Sequence, residues 1–442
     1  MFFAASFPIQ TDGASEFSDT SGLLLEEAIE ALANEGVVSG YPDGTFKPKT
    51  VMTRAELLAI VMKSIEQTEP RSLRCFSDVI ARMWYAPYVC RAKERRVISG
   101  FPDDTFRPDE PVNVAEGLKI LLRAYSVPFD ETPRGEWYDQ YVDFAHSEGI
   151  LSRHALLPWA GVTRERMADM VYRMRLREKG ELGEGFESAG CGKPPGMAPS
   201  SVTVNGEERQ FILRVPDGYS HHDAAKIIFA FHGRTNSNDM VRGYMELDRS
   251  GPEYFTVYPA ALKTAGGTFH WSSPGDKAGE LRDFRFFDAI LLKLADQYCL
   301  DLDEVYVVGH SLGGWFGNAV ACARGDIVRG VATLGSSGPG KSECAGPVAA
   351  MLIHHPKDAL APFAGGLAAR DKFLTQNSCE ITETKDVSPR DYNCVSYPGC
   401  SNERPVIWCP HEKSQAWDGS TYTHQWPRGT GAEVVRFFEG LR

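Results

Sequence analysis

The sequence lacks the features that mark membrane-spanning and nucleic-acid-binding proteins. No segment approaches the roughly 18 consecutive apolar residues that a transmembrane helix needs. No run of Lys and Arg occurs, and the formal net charge of −12 gives no concentrated basic surface for phosphate groups. We therefore expect neither a membrane span nor a nucleic-acid partner.

The cysteines lack the spacing of metal ligands. Of the ten, two lie in the first 180 residues and eight from Cys191 onward, and no Cys-x-x-Cys pair occurs among them. An even number without metal spacing predicts disulfides formed in an oxidising compartment, with free buried thiols as the alternative. The connectivity stays open, and we expect no metal and no organic cofactor.

The composition is that of a globular protein, with 43% hydrophobic and 24% charged residues in a chain of 442. This length exceeds the size at which one hydrophobic core keeps growing, which predicts two or more domains. The first residues, Met1–Ile9, are apolar without the basic segment of a signal peptide, so they are either a remnant of one or a start site.

Two segments near the start of the chain repeat each other. Gly-Tyr-Pro-Asp-Gly-Thr-Phe-Lys-Pro at 40–48 recurs as Gly-Phe-Pro-Asp-Asp-Thr-Phe-Arg-Pro at 100–108. A helical pattern precedes each copy and a second helix follows it, opened in the first copy by Met52-Thr-Arg-Ala-Glu56. A third, degenerate unit carries Val162-Thr-Arg-Glu-Arg at the same point. The pattern predicts three helix–loop–helix units, the minimum for repeats that cannot bury their apolar faces alone.

These units resemble the S-layer homology repeat. Its marks are an opening Phe-x-Asp, here at Phe17 and Phe76, the Gly-Tyr-Pro-Asp-Gly loop and the Thr-Arg-Ala-Glu helix start. The resemblance covers about 15–178, in repeats at about 15–66, 75–127 and 136–178. It implies an all-α bundle of three repeats with pseudo-threefold symmetry that binds anionic secondary cell-wall polysaccharide. It therefore also implies a secreted protein at the bacterial cell surface.

The resemblance also implies which residues bind this polysaccharide. In the family the arginine of Thr-Arg-Ala-Glu lies in the ligand grooves, which makes Arg54 and Arg164 the candidates here. A guanidinium at a helix N-terminus adds planar donors to free backbone N–H groups, and both suit a carboxylate-bearing sugar. The second copy has Val114 at this position, so its groove is expected to be weak or empty. The alternative is that both arginines only form salt bridges with their neighbours.

A segment rich in Gly, Pro and charge separates these repeats from the rest of the chain. It predicts a linker at 179–189 and a second domain at 190–442. In that domain, apolar β-type runs such as 227–231 and 304–308 alternate with helical patterns such as 281–299. This alternation predicts a mostly parallel sheet covered by helices.

One of these apolar runs ends in a motif for a catalytic serine. Val305-Tyr-Val-Val precedes Gly309-His-Ser311-Leu-Gly313, and a helical pattern follows. A buried strand, Gly-x-Ser-x-Gly and a helix form the context of a nucleophile elbow in an α/β-hydrolase. The glycines remove Cβ atoms that would clash in the strained turn, and the helix points free N–H groups at the developing charge. We therefore predict an α/β-hydrolase with Ser311 as its nucleophile.

In this fold the acid and the base follow the serine in the chain, in that order. Asp358, in a short loop after the strand at 348–353, is the predicted acid, and Asp371, inside a helical pattern, is the alternative. His424, in a loop before the last helix, is the predicted base, and His411 is the alternative. Two histidines come too early in the chain to be the base and either line the site or are ordinary buried residues: His354 and His355.

These roles predict acyl transfer through a covalent intermediate. His424 takes the proton of Ser311 as the serine attacks an ester carbonyl, and Asp358 fixes the imidazole tautomer. The oxyanion then needs two N–H donors, which we predict to be the backbone of Leu312 and of Arg234.

The second domain resembles the family shared by feruloyl esterases and extracellular poly(3-hydroxybutyrate) depolymerases. The resemblance covers about 190–440 and depends on separated matches: Cys191-Gly-Lys, Phe231-His-Gly-Arg-Thr-Asn-Ser, Phe286-Phe-Asp, Gly309-His-Ser-Leu-Gly-Gly and His424-Gln-Trp-Pro. The second and third matches look more like feruloyl esterases, which implies cleavage of ferulate or other hydroxycinnamates from plant polysaccharide. By the same resemblance four residues are candidates for substrate binding: Trp271, Trp315, Trp426 and His310. For each Trp the alternative is packing in the core.

Other functions stay open at this point. A polyester depolymerase and an acetylxylan esterase are the alternatives within the same class, and an inactive cell-surface structural protein is the alternative from a different class. The cysteine-containing segment 384–403, between the predicted acid and base, is a candidate lid over the pocket. Such a lid would change the size of substrate that the site accepts.

Overall fold

The computed structural model describes residues 17–441 except for 21–22, 24, 66–69, 71, 133–135, 152–157, 183–185, 189, 273–281, 341–343, 382–383, 402–403 and 417. Met1–Ile9 and part of the predicted linker therefore lie outside the described residues. The chain forms two compact units, a repeat unit of 1–141 with 161–181 and a hydrolase unit of 142–160 with 182–442. This division cuts the third predicted repeat, so the repeat and domain bounds stay predictions.

The predicted repeats are helical, and each contributes two helices to the described part of the chain. The helices are α1 (Glu26–Asn34), α2 (Arg54–Ile65), α3 (Ala86–Glu94), α4 (Val114–Ala124), α5 (Asp139–Ser147) and α6 (Arg164–Lys179). Helices α2, α4 and α6 begin within the three Thr-Arg-Ala-Glu-like motifs, as predicted. The N-terminal half therefore has the all-α repeat architecture that the sequence predicts.

Two of these three helix starts have a capping box, and the third lacks one. Asn113 accepts a hydrogen bond from the Glu116 backbone at 2.9 Å, and the Glu116 carboxylate accepts one from the Asn113 N–H at 3.2 Å. Thr53 forms the same reciprocal pair with the residue three positions on. In the third copy Arg166 replaces that glutamate, and the Thr163 hydroxyl is buried without a hydrogen-bond partner among the described residues. The degenerate repeat has thus lost its capping box.

The three helix starts meet in a closed ring of backbone hydrogen bonds. The Met52 N–H donates to Val162 C=O at 3.0 Å, Val162 donates to Val112 at 3.0 Å, and Val112 donates to Met52 at 3.1 Å. All three side chains are fully buried. Each repeat therefore satisfies backbone groups of the next, which explains why one repeat alone would leave polar groups unpaired.

The hydrolase unit is built on one large sheet with strand order β1-β2-β4-β3-β7-β8-β9-β12-β11-β10. The six central strands, from β4 to β12, run parallel, and the strands at either end pair antiparallel. The strands are β1 (Ser201–Val204), β2 (Glu207–Arg214), β3 (Ala225–Phe231), β4 (Phe255–Pro259), β5 (Leu262–Lys263), β6 (Phe269–His270), β7 (Leu300–His310), β8 (Val328–Leu334), β9 (Ala349–Ile353), β10 (Lys385–Asp386), β11 (Val395–Ser396) and β12 (Val406–Cys409). Strands β5 and β6 form a separate pair.

Helices cover both faces of this sheet. On one face Phe231 contacts Phe316 of α10 with ring centroids 4.9 Å apart, and on the other Tyr306 stacks on Phe438 of α12 at 4.4 Å. The helices are α7 (Asn238–Met245), α8 (Leu247–Ser250), α9 (Arg282–Gln297), α10 (Leu312–Ala323), α11 (Phe363–Gln376) and α12 (Thr430–Glu439). Because the central strands are covered on both sides, their residues are apolar in continuous runs. The predicted α/β-hydrolase fold is confirmed.

All ten cysteines form disulfides, which confirms the predicted disulfides and excludes the alternative of free thiols. The pairs are Cys75–Cys90, Cys191–Cys299, Cys322–Cys344, Cys379–Cys400 and Cys394–Cys409. Cys394–Cys409 ties the candidate lid, 384–403, to β12, and Cys379–Cys400 ties it to the chain that follows α11. In its described part this segment forms β10 and β11, and its Tyr392 is buried in the core. The segment therefore lengthens the sheet at its edge.

The caps of the repeat unit give a first prediction. Asn113→Ala is expected to lower the free energy of unfolding by about 1 kcal/mol, because it removes the side-chain oxygen that accepts the Glu116 N–H. Thr163→Ala, the matched control, removes a buried hydroxyl that has no partner and is expected to be neutral or slightly stabilising. Denaturant titrations of the full chain measure both, and equal losses would contradict the assignment.

Candidate active site

Ser311 lies on a strained turn between β7 and α10. Its backbone has φ 58° and ψ −125°, a conformation that residues with a side chain rarely adopt. The turn is held by its own N–H, which donates to Leu334 C=O of the neighbouring strand β8 at 3.0 Å. This is the strand–turn–helix context that the sequence predicts for the nucleophile.

The two glycines of the Gly-x-Ser-x-Gly motif are required by close packing of the backbone. A Cβ on Gly309 would lie 2.3 Å from the Gly313 carbonyl oxygen, and a Cβ on Gly313 would lie 2.2 Å from the Phe231 carbonyl oxygen. No side chain fits at either position. The motif thus has glycine at both positions because β3, β7 and α10 come too close together at the turn for a side chain.

The structure brings Ser311, His424 and Asp358 together in one hydrogen-bonded relay. The His424 Nε2 lies 2.8 Å from the Ser311 Oγ, and its Nδ1 lies 2.6 Å from the Asp358 Oδ2. Asp358 follows β9, and His424 lies in the loop between β12 and α12. Both side chains are buried, whereas Ser311 is half-buried and accessible from outside.

The two alternatives from the sequence lie elsewhere. Asp371 is paired at the surface with the adjacent Arg370 at 2.7 Å. His411 is fully buried, and its ring centroid lies 5.5 Å from that of His355 and 5.8 Å from that of Tyr392. Burial lowers the pKa of His411 to about 4, so its ring is neutral near pH 7.

The environment of Asp358 fixes the direction of the relay. Burial alone would raise the pKa of its carboxyl, but hydrogen bonds from His424 and from the backbone N–H groups of Ala361 and Leu360 lower it below the ordinary value. An ionised carboxylate only accepts hydrogen bonds, so the His424 Nδ1 must donate to it. The His424 Nε2 is then free to accept the proton of the Ser311 hydroxyl.

The loop after β3 passes next to the nucleophile. A Cβ on Gly233 would lie only 3.3 Å from the Ser311 Cβ. The preceding residue, His232, is fully buried, and burial lowers its pKa to about 4. Its neutral ring bridges the loop, with Nδ1 2.9 Å from Gly233 C=O and Nε2 accepting the Ala261 N–H at 3.0 Å. This brace was not predicted from the sequence, because no spacing rule marks it.

The predicted oxyanion donors flank this point. Leu312 is the first residue of α10, where backbone N–H groups have no acceptor within the helix. Arg234 follows Gly233 in the β3 loop, its side chain is exposed, and its C=O accepts the Phe269 N–H at 2.7 Å. That bond fixes the peptide chain of the loop beside the serine.

Of the three candidate tryptophans, two are buried in the core and one is half-buried near the nucleophile. Trp271 is fully buried, donates through Nε1 to His232 C=O at 2.9 Å and stacks on Phe316 at 4.8 Å, which favours the core-packing alternative. Trp426 is also buried, and its ring lies 6.0 Å from that of His310. Trp315, in the first turn of α10, is half-buried and remains the candidate among the three tryptophans.

His310 lies behind the relay. Its Nδ1 is 3.0 Å from the Tyr244 hydroxyl, and its ring stacks on that of His424 with centroids 5.2 Å apart. Burial lowers the pKa of His310 to about 3, so a neutral ring supports the imidazole of His424. The contacts of His310 favour packing over substrate binding.

The two candidate wall-binding arginines bind the loop of a neighbouring repeat. The Arg54 Nε donates to Phe106 C=O at 3.0 Å, and a terminal nitrogen lies 3.7 Å from Glu116. Arg164 donates to Phe46 C=O at 2.8 Å and to Ser39 C=O at 2.9 Å. Backbone carbonyls are thus their principal partners, and the salt-bridge alternative holds only in part for Arg54.

A groove of about 190 Å³ lies beside Arg164 in the repeat unit. Its lining combines cationic and aromatic side chains, including Lys63, Tyr41 and the exposed Trp84, with Glu56 as an anionic member. The Arg164 guanidinium lies over the Tyr41 ring at 5.0 Å. Such a lining suits a charged sugar.

Two further features, a metal site and a membrane-spanning helix, can be assessed for the described residues. No three His, Cys, Asp or Glu side chains of this part of the chain cluster as metal ligands would. Its helices include none that is long and apolar enough to cross a membrane.

Known proteins resemble the two halves of the chain. The model of the S-layer homology domain matches residues 16–58 and 76–116. Feruloyl esterase D of Neurospora crassa is 31% identical over 237 residues, which cover 51% of this chain and 80% of that protein. The middle cell wall protein of Brevibacillus brevis is 29% identical over 166 residues, covering 36% of this chain and 16% of that protein.

A solved structure of a ferulic acid esterase from Anaeromyces mucronatus in complex with ferulic acid covers 54% of this chain and 87% of its own, with 13% identity and a TM-score of 0.35. The similarity to feruloyl esterase D extends over most of that enzyme's length. The chain therefore belongs to the feruloyl esterase family and is a carboxylic ester hydrolase that carries S-layer homology repeats ahead of its α/β-hydrolase fold.

Proposed function

We propose that the protein is a serine esterase of the cell surface in which Ser311 is the nucleophile, His424 the general base and Asp358 the orienting acid. The observation that carries this proposal is the relay of two hydrogen bonds, 2.8 Å and 2.6 Å long, from hydroxyl to imidazole to carboxylate. A serine is a weak nucleophile until a base accepts its proton, and this arrangement supplies that base.

The proposed reaction proceeds through an acyl-enzyme. As the Ser311 Oγ attacks the ester carbonyl, His424 takes its proton and becomes an imidazolium that Asp358 stabilises. Collapse of the tetrahedral intermediate expels the alcohol, which leaves with the proton from His424. Water then attacks the acyl-enzyme by the same route and releases the carboxylic acid, returning the proton to Ser311.

The oxyanion of each intermediate is proposed to bind the backbone N–H groups of Leu312 and Arg234. Support comes from the position of Leu312 at the N-terminus of α10, where the helix dipole favours negative charge. The closeness of Gly233 to the Ser311 Cβ supports Arg234 as the second donor. Donors that are fixed before the reaction need no reorganisation when the charge develops.

The proposed substrate is an ester of ferulate or another hydroxycinnamate on plant polysaccharide. Its support is the similarity to feruloyl esterase D and the motifs shared with that family. Trp315 is the proposed contact for the acyl ring, because it is half-buried and lies four residues after the nucleophile on the first turns of α10.

The proposed role of the repeat unit is attachment to anionic cell-wall polysaccharide through the groove beside Arg164. A guanidinium has five N–H donors, and Arg164 uses part of them for the loop carbonyls, which leaves others for a ligand. Lys63 adds a second positive charge and Trp84 an exposed ring. The similarity to a cell wall protein supports this location.

Removing the proposed acid tests the relay. Asp358→Asn is expected to lower kcat about 10⁴-fold, because the N–H groups of Leu360 and Ala361 hold its amide oxygen, so that its NH2 group faces His424 Nδ1 and favours the wrong tautomer. Asp371→Asn changes an exposed carboxylate and should keep the wild-type rate. Initial rates on an aryl ester, normalised by fluorophosphonate labelling of Ser311, measure both. Full activity of Asp358→Asn would exclude the proposed mechanism.

A substrate panel tests the acyl specificity. Methyl ferulate is expected to be hydrolysed with a kcat/KM about 100-fold above that of methyl acetate, because burial of an aromatic ring contributes about 2–3 kcal/mol to transition-state binding. Acetylated xylan and a polyhydroxybutyrate film complete the panel. Clearing of the film without a preference for methyl ferulate would indicate a polyester depolymerase instead.

Binding to cell-wall sacculi tests the groove. Trp84→Ala in the full chain is expected to weaken binding about tenfold, the equivalent of about 1.4 kcal/mol for one aromatic contact. Trp159→Ala is the matched control, because Trp159 is equally exposed, at 55% against 57%, and does not line the groove. Co-sedimentation at several protein concentrations measures both. Loss of binding that is equal in the two variants would exclude this groove as the site.

A further inference from the structure

His354 follows strand β9 directly and is buried, with 1% of its surface exposed. The proposed mechanism gives it no role. Its Nε2 lies 2.9 Å from the Ala361 carbonyl oxygen. Because a carbonyl can only accept, the Nε2 carries the proton and the ring donates to the backbone of the loop that holds Asp358.

The loop from Asp358 to Ala361 is organised around the carboxylate. The backbone N–H groups of Leu360 and Ala361 donate to the Asp358 Oδ1 at 2.9 Å and 2.8 Å. The other oxygen, Oδ2, accepts from His424 at 2.6 Å. The peptide units on both sides of Ala361 are therefore bound, one by His354 and the other by Asp358.

His354 is itself fixed from every side. Its backbone N–H donates to Cys409 C=O of β12 at 3.0 Å, and its ring lies between Phe363 and Trp408, with centroids 5.7 Å and 6.4 Å away. Helix α11 approaches so closely that a Cβ on Gly366 would lie 2.3 Å from the His354 Nδ1. The Nε2 can thus point only where the surrounding sheet and helix direct it.

We propose that His354 is a positioning residue for the catalytic acid. It binds the carbonyl group of Ala361 and so fixes the position of this residue. The N–H of Ala361 in turn binds Oδ1 of Asp358, which aims Oδ2 at His424. The direct distance from the His354 Nε2 to the Asp358 Oδ2 is 3.8 Å, too long for a hydrogen bond, so the effect passes through the backbone. This inference rests on the proposed triad and assigns a role to a fourth residue, His354, that orients its acid.

The charge state of His354 affects how strongly the Asp358 carboxylate stabilises the imidazolium of His424. The titratable groups that face it are Asp358, His424, His355 and His411. Burial lowers the pKa of His354, which favours the neutral form of its ring. A neutral donor orients Asp358 without competing for its negative charge, which remains available to the imidazolium of His424.

Three substitutions in the full chain test the proposal. His354→Phe keeps a ring against Phe363 and Trp408 but removes the donor, and is expected to lower kcat about 10- to 100-fold with KM changed less than about twofold. His354→Gln places an amide N–H near the position of Nε2 and should restore kcat to within about threefold of wild type. His354→Asn is the matched control, because its shorter amide does not reach Ala361, and it should resemble His354→Phe.

The pH profile separates positioning from a merely structural role. A poorly aimed carboxylate stabilises the imidazolium less, so the acid limb of kcat/KM should move to lower pH in His354→Phe and return in His354→Gln. Rates are normalised by the fraction of Ser311 that a fluorophosphonate labels, so that misfolded protein does not count. If His354→Phe does not fold, His354→Asn and His354→Gln give the same comparison.

Two results would overturn the proposal: a normalised kcat of His354→Phe and His354→Asn equal to wild type, or an acid limb that does not move. Failure of the triad itself would be recognised separately. In that case Ser311→Ala would retain hydrolysis. If Ser311→Ala is inactive while the His354 variants behave as wild type, only the role of His354 is excluded.

Discussion

The strained backbone of Ser311 is the constraint on which the hydrolase unit depends. A residue with a side chain at φ 58° costs on the order of 1–3 kcal/mol, and it persists only when its surroundings fix it. Here the turn is held by Leu334 of β8 and by the crossing of Gly309 and Gly313 against β3. The strained conformation is therefore fixed by contacts with three central strands, β3, β7 and β8. It holds the Ser311 hydroxyl outside the sheet.

The parallel direction of those strands explains why distant residues meet at this hydroxyl. The carboxyl ends of parallel strands lie at one edge of a sheet, so the loops after β3, β7 and β9 converge there. They carry Gly233, Ser311 and Asp358 respectively. His424 comes from a longer loop after β12, which must cross towards β7, and its buried neighbours Gln425 and Trp426 hold that crossing in the core. Because β12 is parallel to the other central strands, the same geometric rule places all four loops at this edge.

This rule also explains what the sequence could predict. The meeting of Ser311, Asp358 and His424 could be predicted because a local motif, the order along the chain and the ends of apolar runs are all visible in the sequence. Core packing was one of the two roles considered for Trp271, and the sequence could not decide between them because a local pattern does not report which side of a helix or loop faces solvent. The strands within 384–403 were missed for a related reason: their pairing with β12 is a long-range contact in short segments of weak alternation.

In the repeat unit too, side chains that were predicted to be functional also hold the backbone in place. Arg54 and Arg164 were singled out as ligand residues, yet each first satisfies a backbone carbonyl of the next repeat. A planar guanidinium can do both because its donors diverge, whereas a lysine ammonium offers one point of charge. Val114 in the second copy has no donor in its side chain and can do neither. An arginine at this point therefore supports the fold whether or not it also binds a ligand, which is why sequence alone does not separate the two roles.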